Sequence, residues 1–389
     1  MRLRCGVWLA MLVLAAMVGG SLAASAAEAD LDVPYVPTPE DVVTEMLKVA
    51  AVGKDDVLYD LGCGDGRIVI TAVSRLGARK GVGIDIDPER IKECEVNVRK
   101  AAVADRVTFL QQDLFDTDFS EASVVTLYLL PNINMRLRPA LFRQLRPGDR
   151  VVSHDFHMKE WEPDKTVEVA SDDAEATVYY WTMPGPAAGT WHWTLPKGDG
   201  REPYRLRLRQ RFQTVSGTLE ADGQPQTMTD LRIRGGRLSF TLVREVEGKK
   251  ATAAFSGRIA GDSLSGIVVG SGGPVPDAGE WRARRDAVTP LGSWNWTVDG
   301  KPAVLRVSGL DGRRYANLVL DGKRRTVRHF YVWGAGVYFF VDRRAEQVYE
   351  GVIEGDRIVG TVSRRDGEPQ PWSATRAPAG EKRVAGQSG

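Results

Sequence analysis

Two patterns of apolar spacing divide the chain. Between residues 56 and 181, strand-length apolar runs alternate with stretches of helical spacing. Val57-Leu58-Tyr59-Asp60-Leu61 leads into a glycine loop, a helix is expected over about 67–76, and Gly81-Val82-Gly83-Ile84-Asp85 follows as a second strand. Pro88-Glu89 opens the next helix, because a proline in the first turn forfeits no hydrogen bond. Further strands are expected at 107–111, 124–129 and 151–155, with a helical segment at 135–145 before the last. Segments near 166–170 and 176–181 read as a closing hairpin. Such alternation predicts an α/β domain, a mostly parallel sheet covered by helices.

From Gly189 onward the pattern changes to short alternating segments punctuated by glycine, with almost no helical periodicity, so the region is expected to be all-β. It also matches itself. Gly189-Thr190-Trp191-His192-Trp193-Thr194 returns as Gly292-Ser293-Trp294-Asn295-Trp296-Thr297, and the stretch from Phe255 to Gly266 returns from Tyr349 to Gly360. Trp281-Arg282-Ala283-Arg284-Arg285 returns as Trp372-Ser373-Ala374-Thr375-Arg376. Landmarks in one order predict a tandem repeat, each copy sized for a small barrel or sandwich. The expected domains are therefore 28–185 (α/β), 186–287 and 288–378 (β repeats), with a disordered tail at 379–389. Trp191 with Trp193, and Trp294 with Trp296, stand two apart, so each pair shares one face of a strand, as a core plug or as an aromatic binding face.

With 389 residues, two or three domains are expected, and 43% hydrophobic with 26% charged residues excludes a disordered, collagen-like or polytopic membrane chain. Lys+Arg 52 against Asp+Glu 51 leaves a net charge of +1, which gives no electrostatic case for nucleic acid. The cysteines Cys5, Cys63 and Cys94 all lie early in the chain, so no disulfide framework serves the β region. Met1-Arg2-Leu3-Arg4, an uncharged stretch to Ala27 and the small residues Ala24-Ser25-Ala26 fit a cleaved secretory signal over 1–27. The same stretch is long enough to serve as an uncleaved anchor. Either reading makes the protein exported or membrane-anchored, in the envelope if the source is bacterial. Arg205, Arg207, Arg209 and Arg211 alternate along one strand, a solvated face or a contact surface for an anionic envelope component or a neighbouring domain.

The chemistry concentrates in Asp60-Leu61-Gly62-Cys63-Gly64-Asp65-Gly66-Arg67, directly after a strand and before a helix. Alternate glycines let the backbone approach a ligand closely. A pyrophosphate reader spaces its glycines G-x-G-x-x-G, whereas this loop is D-x-G-x-G-x-G and carries two acids, which repel phosphate and suit a cation. Asp85 ends the second strand, where a carboxylate can take ribose hydroxyls, and Asp113 ends the third, where one can accept from an adenine amino group. A glycine-rich turn among surface acids would explain the loop alone but not matching acids at three successive strand ends. The constellation resembles the class I S-adenosylmethionine-dependent methyltransferases over about residues 35–182. That resemblance implies a Rossmann-like seven-stranded sheet with one antiparallel strand and S-adenosyl-L-methionine as cofactor. It places Asp60, Gly62, Gly64, Asp65 and Gly66 around the aminoacyl part, Asp85 and Ile86 at the ribose, and Asp113 with Leu114 at the adenine.

The fourth strand ends in Tyr128-Leu129-Leu130-Pro131-Asn132, not in the N/D-P-P-Y/F of enzymes that methylate adenine or glutamine amides. Pro34-Tyr35-Val36-Pro37-Thr38-Pro39 before the first strand and Arg150-Val151-Val152-Ser153-His154-Asp155-Phe156 at the fifth resemble the small non-SET protein-lysine methyltransferases, some of them membrane-tethered. By that resemblance Tyr35 and Pro37 close over the cofactor, and Cys63 stands where the family usually has serine. The expected acceptor is a protein lysine, whose amine must be held neutral against an ordinary pKa near 10.4. Tyr128, Asn132 and Asp155 are the candidates to orient it; a core tyrosine, a turn residue and a strand-end acceptor are their structural alternatives. His154 and His157 have no further ligand to complete a set, so no metal is expected. A small molecule or lipid is the alternative acceptor, and a catalytically inactive scaffold bearing β binding modules is the alternative of another class.

Overall fold

A computed structural model describes residues 35–378 apart from 171–174, 247, 273–277, 311–312, 342–346 and 365–367. The segment 1–27, read as signal or anchor, and the tail 379–389 lie outside the described residues. Seven strands build the first sheet: β1 (Val57–Leu61), β2 (Lys80–Asp85), β3 (Val107–Gln111), β4 (Val124–Leu127), β5 (Arg150–His154), β6 (Lys165–Ala170) and β7 (Glu175–Thr182). Their order is β3-β2-β1-β4-β5-β7-β6. The first five pair in parallel and β7 runs antiparallel to both β5 and β6. Helices α1 (Glu40–Val49), α2 (Arg67–Ser74), α3 (Pro88–Lys100) and α4 (Pro131–Gln144) cover it.

Every residue of β1 and of β4 is buried, which is why both read as unbroken apolar runs instead of alternating ones. Val42, Val43, Met46 and Leu47 of α1 and Ile68, Val69 and Ala72 of α2 enclose Leu58, Val124, Val152 and Val178 of the sheet in one core. α4 starts at Pro131, earlier than the helical spacing at 135–145 suggests, and β4 stops at Leu127. The proline supplies the cause: its fixed φ suits the first helical turn, and Leu130 before it is extended at φ −54, ψ 152.

Beyond the sheet, β8 (Gly189–Lys197), β9 (Gly200–Arg211), β10 (Thr214–Ala221), β11 (Gln224–Arg234), β12 (Arg237–Val246), β13 (Lys249–Ala260), β14 (Ser263–Ser271) and β15 (Gly279–Arg285) close into a barrel. The second unit comprises β16 (Gly292–Val298), β17 (Lys301–Leu310), β18 (Arg313–Leu320), β19 (Lys323–Arg325), β20 (Val327–Trp333), β21 (Gly336–Val341), β22 (Gln347–Glu354), β23 (Arg357–Ser363) and β24 (Gln370–Arg376). Its order, β19-β18-β17-β16-β24-β23-β22-β21-β20, leaves it open. In the barrel, β11 spans the corresponding position as one strand, bent by a register shift between Thr229 and Arg232. In the second unit two shorter strands stand there instead, and the ring does not close.

The two β units use the same devices at corresponding strands. Trp191 and Trp193, like Trp294 and Trp296, are buried and pack in the cores of their units. Trp191 Nε1 donates to the Ala187 carbonyl and Trp294 Nε1 to that of Pro290, each at 2.8 Å. Arg285 lies over the Trp191 ring and Arg376 over that of Trp294, at 4.9 and 4.0 Å from the centroids, each held by an aspartate, Asp262 or Asp356. Gly257 pairs with Gly266, and Gly351 with Gly360, leaving room for the rings of Trp281 and Trp372. A Cβ on Gly266 or Gly360 would overlap the carbonyl oxygen of Ser256 or Glu350.

The arginine row is paired within the molecule. Arg205 and Arg207 both bind Glu220, while Arg209 and Arg211 reach Glu354 (2.9 Å) and Glu350 (3.6 Å) of the second β unit. Of the partners the alternation offered, half of the row therefore serves the neighbouring domain. Helix α4 joins this junction: Phe142 packs against Trp161, Phe212 and Trp333 at centroid distances of 4.7, 5.7 and 5.5 Å.

Because backbone cannot yield to an added methyl group, Gly266→Ala and Gly360→Ala should each destabilise their own β unit by about 3 kcal/mol. Gly200→Ala, whose Cβ would meet nothing nearer than 3.8 Å, is the control. Calorimetry resolving separate transitions would show the loss.

Candidate active site

The strand order reverses between β1 and β4, so the connections leaving these neighbours run apart and open a crevice beyond their carboxyl ends. Leu61 pairs with Leu127 and Leu127 with Ser153, which sets the loop after Leu61, Tyr128 and His154 side by side around that crevice. The loop turns through Gly62, Gly64 and Gly66 at φ +85, +54 and +81, a region that side-chain-bearing residues avoid. It is also packed from three sides: a Cβ would meet Leu129 at Gly62 (2.8 Å), the Tyr35 ring at Gly64, and Phe109 at Gly66 (2.6 Å).

Three carboxylates face this loop and differ in how they are compensated. Asp65 receives Arg67 through Nε and Nη2 (3.0 and 2.7 Å). Burial raises its pKa, but the guanidinium and the Tyr35 hydroxyl more than offset this and hold it below the usual range. Asp85 accepts from the Gly64 N–H at 2.9 Å and the Asp87 N–H at 3.0 Å, and burial still raises its pKa. Asp60 is buried at the end of β1 with the Thr126 hydroxyl donating at 2.8 Å. Burial, with Asp85 and Asp65 adding to it against that hydrogen bond, pushes Asp60 up to about 7. A buried carboxylate beside a glycine cradle, with no positive partner among the described residues, fits the cationic amino-acid end of S-adenosylmethionine.

Tyr35–Thr38 straps the two halves together. Tyr35 lies on Gly64 with Arg90 over its ring at 4.5 Å. Arg67 Nη1 donates to the Thr38 carbonyl at 2.8 Å, and the Thr38 hydroxyl meets His154 Nδ1 at 3.3 Å. Pro37 between them is exposed. Val36 and Ile86 are exposed apolar side chains near the loop, 55% and 44% accessible, apolar surface of the kind a flat ligand covers. Asp113 accepts from the Phe115 N–H at 2.8 Å and caps the short turn Leu114–Asp116. Gln112 N donates to the Asp85 carbonyl at 3.0 Å, which ties that turn to β2.

On the other wall, Tyr128 stacks on His154 with centroids 3.9 Å apart and Phe156 stands beyond, 6.0 Å from Tyr128. Burial lowers the His154 pKa, against the pull of Asp155, whose Oδ2 is 3.4 Å from Nε2. Asp155 adopts φ +58, and its Oδ1 accepts from the Thr177 N–H at 2.8 Å, so β7 fixes the turn that presents it. Tyr128 and Asp155 thus share one wall. Asn132 does not join them: it is exposed in the first turn of α4, with no side-chain partner among the described residues. The buried amide is Asn134, donating to the Phe156 carbonyl at 3.2 Å. The sequence reading missed Thr38 and took His154 only as half of a metal pair; its place one residue before Asp155 at a strand end was the available signal. Cys63 faces Cys94 at 3.9 Å, and Cys94 donates to the Gly64 carbonyl at 3.0 Å, so the Cys63 thiol lies in the loop's buried underside.

The sheet order, the cradle and its acids define an S-adenosylmethionine-dependent methyltransferase of class I. The family model described as the ANTKMT methyltransferase domain matches residues 60–165. A protein-lysine N-methyltransferase of Saccharolobus islandicus is 47% identical over 151 residues, 39% of this chain and 94% of that protein. The adenine nucleotide translocase lysine N-methyltransferase of Mus musculus is 30% identical over 142 residues, 36% of this chain and 61% of that protein. The crystal structure of an RNA methyltransferase from Salinibacter ruber with S-adenosyl-L-homocysteine is 58% identical, covering 38% of this chain and 93% of that one, with a TM-score of 0.36. The chain belongs to the family of the first of these, the protein-lysine N-methyltransferases; its β units extend beyond the matched segment.

Asp60 gives a two-way pH test. A cationic ligand favours the ionised carboxylate, so affinity for S-adenosylhomocysteine should rise between about pH 6 and pH 8 and lose this rise in Asp60→Asn. The free protein runs the other way. A carboxyl held above its unfolded value destabilises the fold increasingly as pH climbs from about 4 to about 7, so Asp60→Asn should melt higher than wild type at pH 8. Titration calorimetry and thermal melts across that range would check both.

Proposed function

We propose that the enzyme transfers the methyl group of S-adenosylmethionine to the side-chain amine of a lysine in a protein substrate. The observation that carries this reading is the wall of Tyr128, His154 and Asp155 set beside the glycine loop. Similarity to enzymes named as lysine methyltransferases supports it. In this reading Asp60 and the loop of Gly62, Gly64 and Gly66 hold the amino-acid end of the cofactor, with Asp65 keeping Arg67 and the Tyr35–Thr38 strap in place. Asp85 with Ile86 takes the ribose, and Asp113 with Leu114 the adenine. The cofactor supplies a methyl group on a sulfonium, so attack is an in-line displacement in which position and a free lone pair matter most.

The residues of the wall meet those needs. The aromatic faces of Tyr128 and Phe156 desolvate an incoming ammonium and favour its neutral form, and Asp155 accepts a hydrogen bond from the amine to aim its lone pair. Neutral His154, stacked on Tyr128 and bonded to Thr38, holds Asp155 in register. We read the segment 1–27 as a signal or anchor that places the enzyme outside the cytosol or at a membrane, which fractionation of cells expressing the tagged chain tests.

With labelled methyl cofactor and separate pools of protein, RNA and lipid as acceptors, label should appear on lysine in the protein pool. Label confined to RNA or lipid would refute the assignment. Tyr128→Ala, which removes the aromatic face, and Asp155→Asn should lower kcat by about 10–100-fold while affinity for S-adenosylhomocysteine stays within about twofold of wild type.

A further inference from the structure

A cavity of about 610 Å³ opens where α4 meets both β units. Pockets for small organic ligands span roughly 300–1,000 Å³. One part of its lining is aromatic, from Phe142, Phe212, Phe330, Tyr331 and Trp333, and the other is cationic, from Arg138, Arg143, Arg209, Arg211 and Arg314. The charges do not balance. Glu160 and Glu350 answer Arg138 (2.9 and 3.7 Å), Glu350 also answers Arg211 (3.6 Å), and Glu354 answers Arg209 (2.9 Å). Arg143 rests on Tyr331, hydroxyl at 2.9 Å and ring at 5.1 Å, and neither it nor Arg314 is in ion-pair contact with a carboxylate among the described residues. Arg138, only 2% accessible, keeps a buried Nε–H with no acceptor although its other nitrogens are bonded to Glu160, the Met158 carbonyl and the Tyr338 hydroxyl. Arg138 is thus enclosed and held by its own partners, and the guanidinium groups of Arg143 and Arg314 are the ones left for a ligand.

We propose that this cavity binds a small anionic amphiphile, a carboxylate joined to an apolar acyl or aromatic body. The carboxylate meets Arg143 and Arg314, and the body lies against Phe142, Phe212 and Trp333. A cation is excluded by the surplus of guanidinium charge, and so is the lysine acceptor itself, which makes this site separate from the crevice at β1 and β4. The site touches the enzyme through α4: Arg138 holds the Met158 carbonyl at 3.2 Å and Asn134 that of Phe156 at 3.2 Å, both in the segment following Asp155.

The test is calorimetric titration of the full chain with sodium decanoate and, as its cationic twin, decyltrimethylammonium. One saturable site per chain is expected for decanoate and none for the cation. Decanoate affinity should fall at least about tenfold in Arg314→Glu, an exposed position where folding is not at stake, and vanish in Thr361→Trp, whose ring fills the cavity. Circular dichroism checks that both variants fold. No saturable decanoate binding by the wild-type protein, equal binding of the two amphiphiles, or unchanged affinity in Arg314→Glu would overturn the proposal.

Discussion

The functional half of the molecule depends on one close approach, the passage of backbone through Gly62, Gly64 and Gly66 between β1 and α2. Three neighbours converge on it: Leu129 from the end of β4, Tyr35 from the strap and Phe109 from β3. A side chain at any of the three glycines would push away the segment after β4, the strap or the third strand. The same left-handed turn directs the Gly64 N–H to Asp85 and ends at Gly66, the residue that caps α2. Backbone conformation, not a set of reactive side chains, therefore holds the crevice open and lines it with polar groups.

Around that loop, electrostatics separate three carboxylates by what compensates them. Asp65 has Arg67 and Asp85 has two backbone N–H groups, whereas Asp60 has only a hydroxyl and is pushed up to about 7. The fold bears an unfavourable buried acid directly beside the glycine loop, an arrangement common at functional sites. His154, its pKa lowered by burial, belongs to the opposite wall, where it stands beside Asp155.

The β units are bound to the enzyme through α4 and not by a bare linker. Arg138 joins that helix to Tyr338 and Glu350, Phe142 packs among aromatic rings of the α/β domain and both β units, and Arg209 with Arg211 crosses from the barrel to the second unit. The helix that starts three residues after Tyr128 thus ends in an aromatic and arginine-rich junction. Apolar packing brings the three parts together, and the surplus of guanidinium groups leaves the junction chemically unfinished.

Much of this was legible in the sequence. The full burial of β1 and β4 shows as continuous apolar runs, the loop announces itself by glycines at alternate positions after a strand, and acids at successive strand ends mark a nucleoside-type ligand because parallel sheets bring those ends together. The glycine-punctuated alternation from Gly189 onward likewise foretold an all-β region after the α/β domain. What the sequence could not settle was partnership across distance. Arg205 to Arg211 looks like a free basic face until Glu220, Glu350 and Glu354 arrive from other strands. Asn132 looks equivalent to Asn134 until the turn of α4 buries one amide and exposes the other. Thr38 and His154, separated by most of the α/β domain in sequence, meet only because Arg67 draws the strap across the strand ends. Local spacing encodes which face a residue takes, through the periods of strand and helix. Which charges are answered, and which buried donors are left without partners, is decided by contacts that form only when distant strands pack.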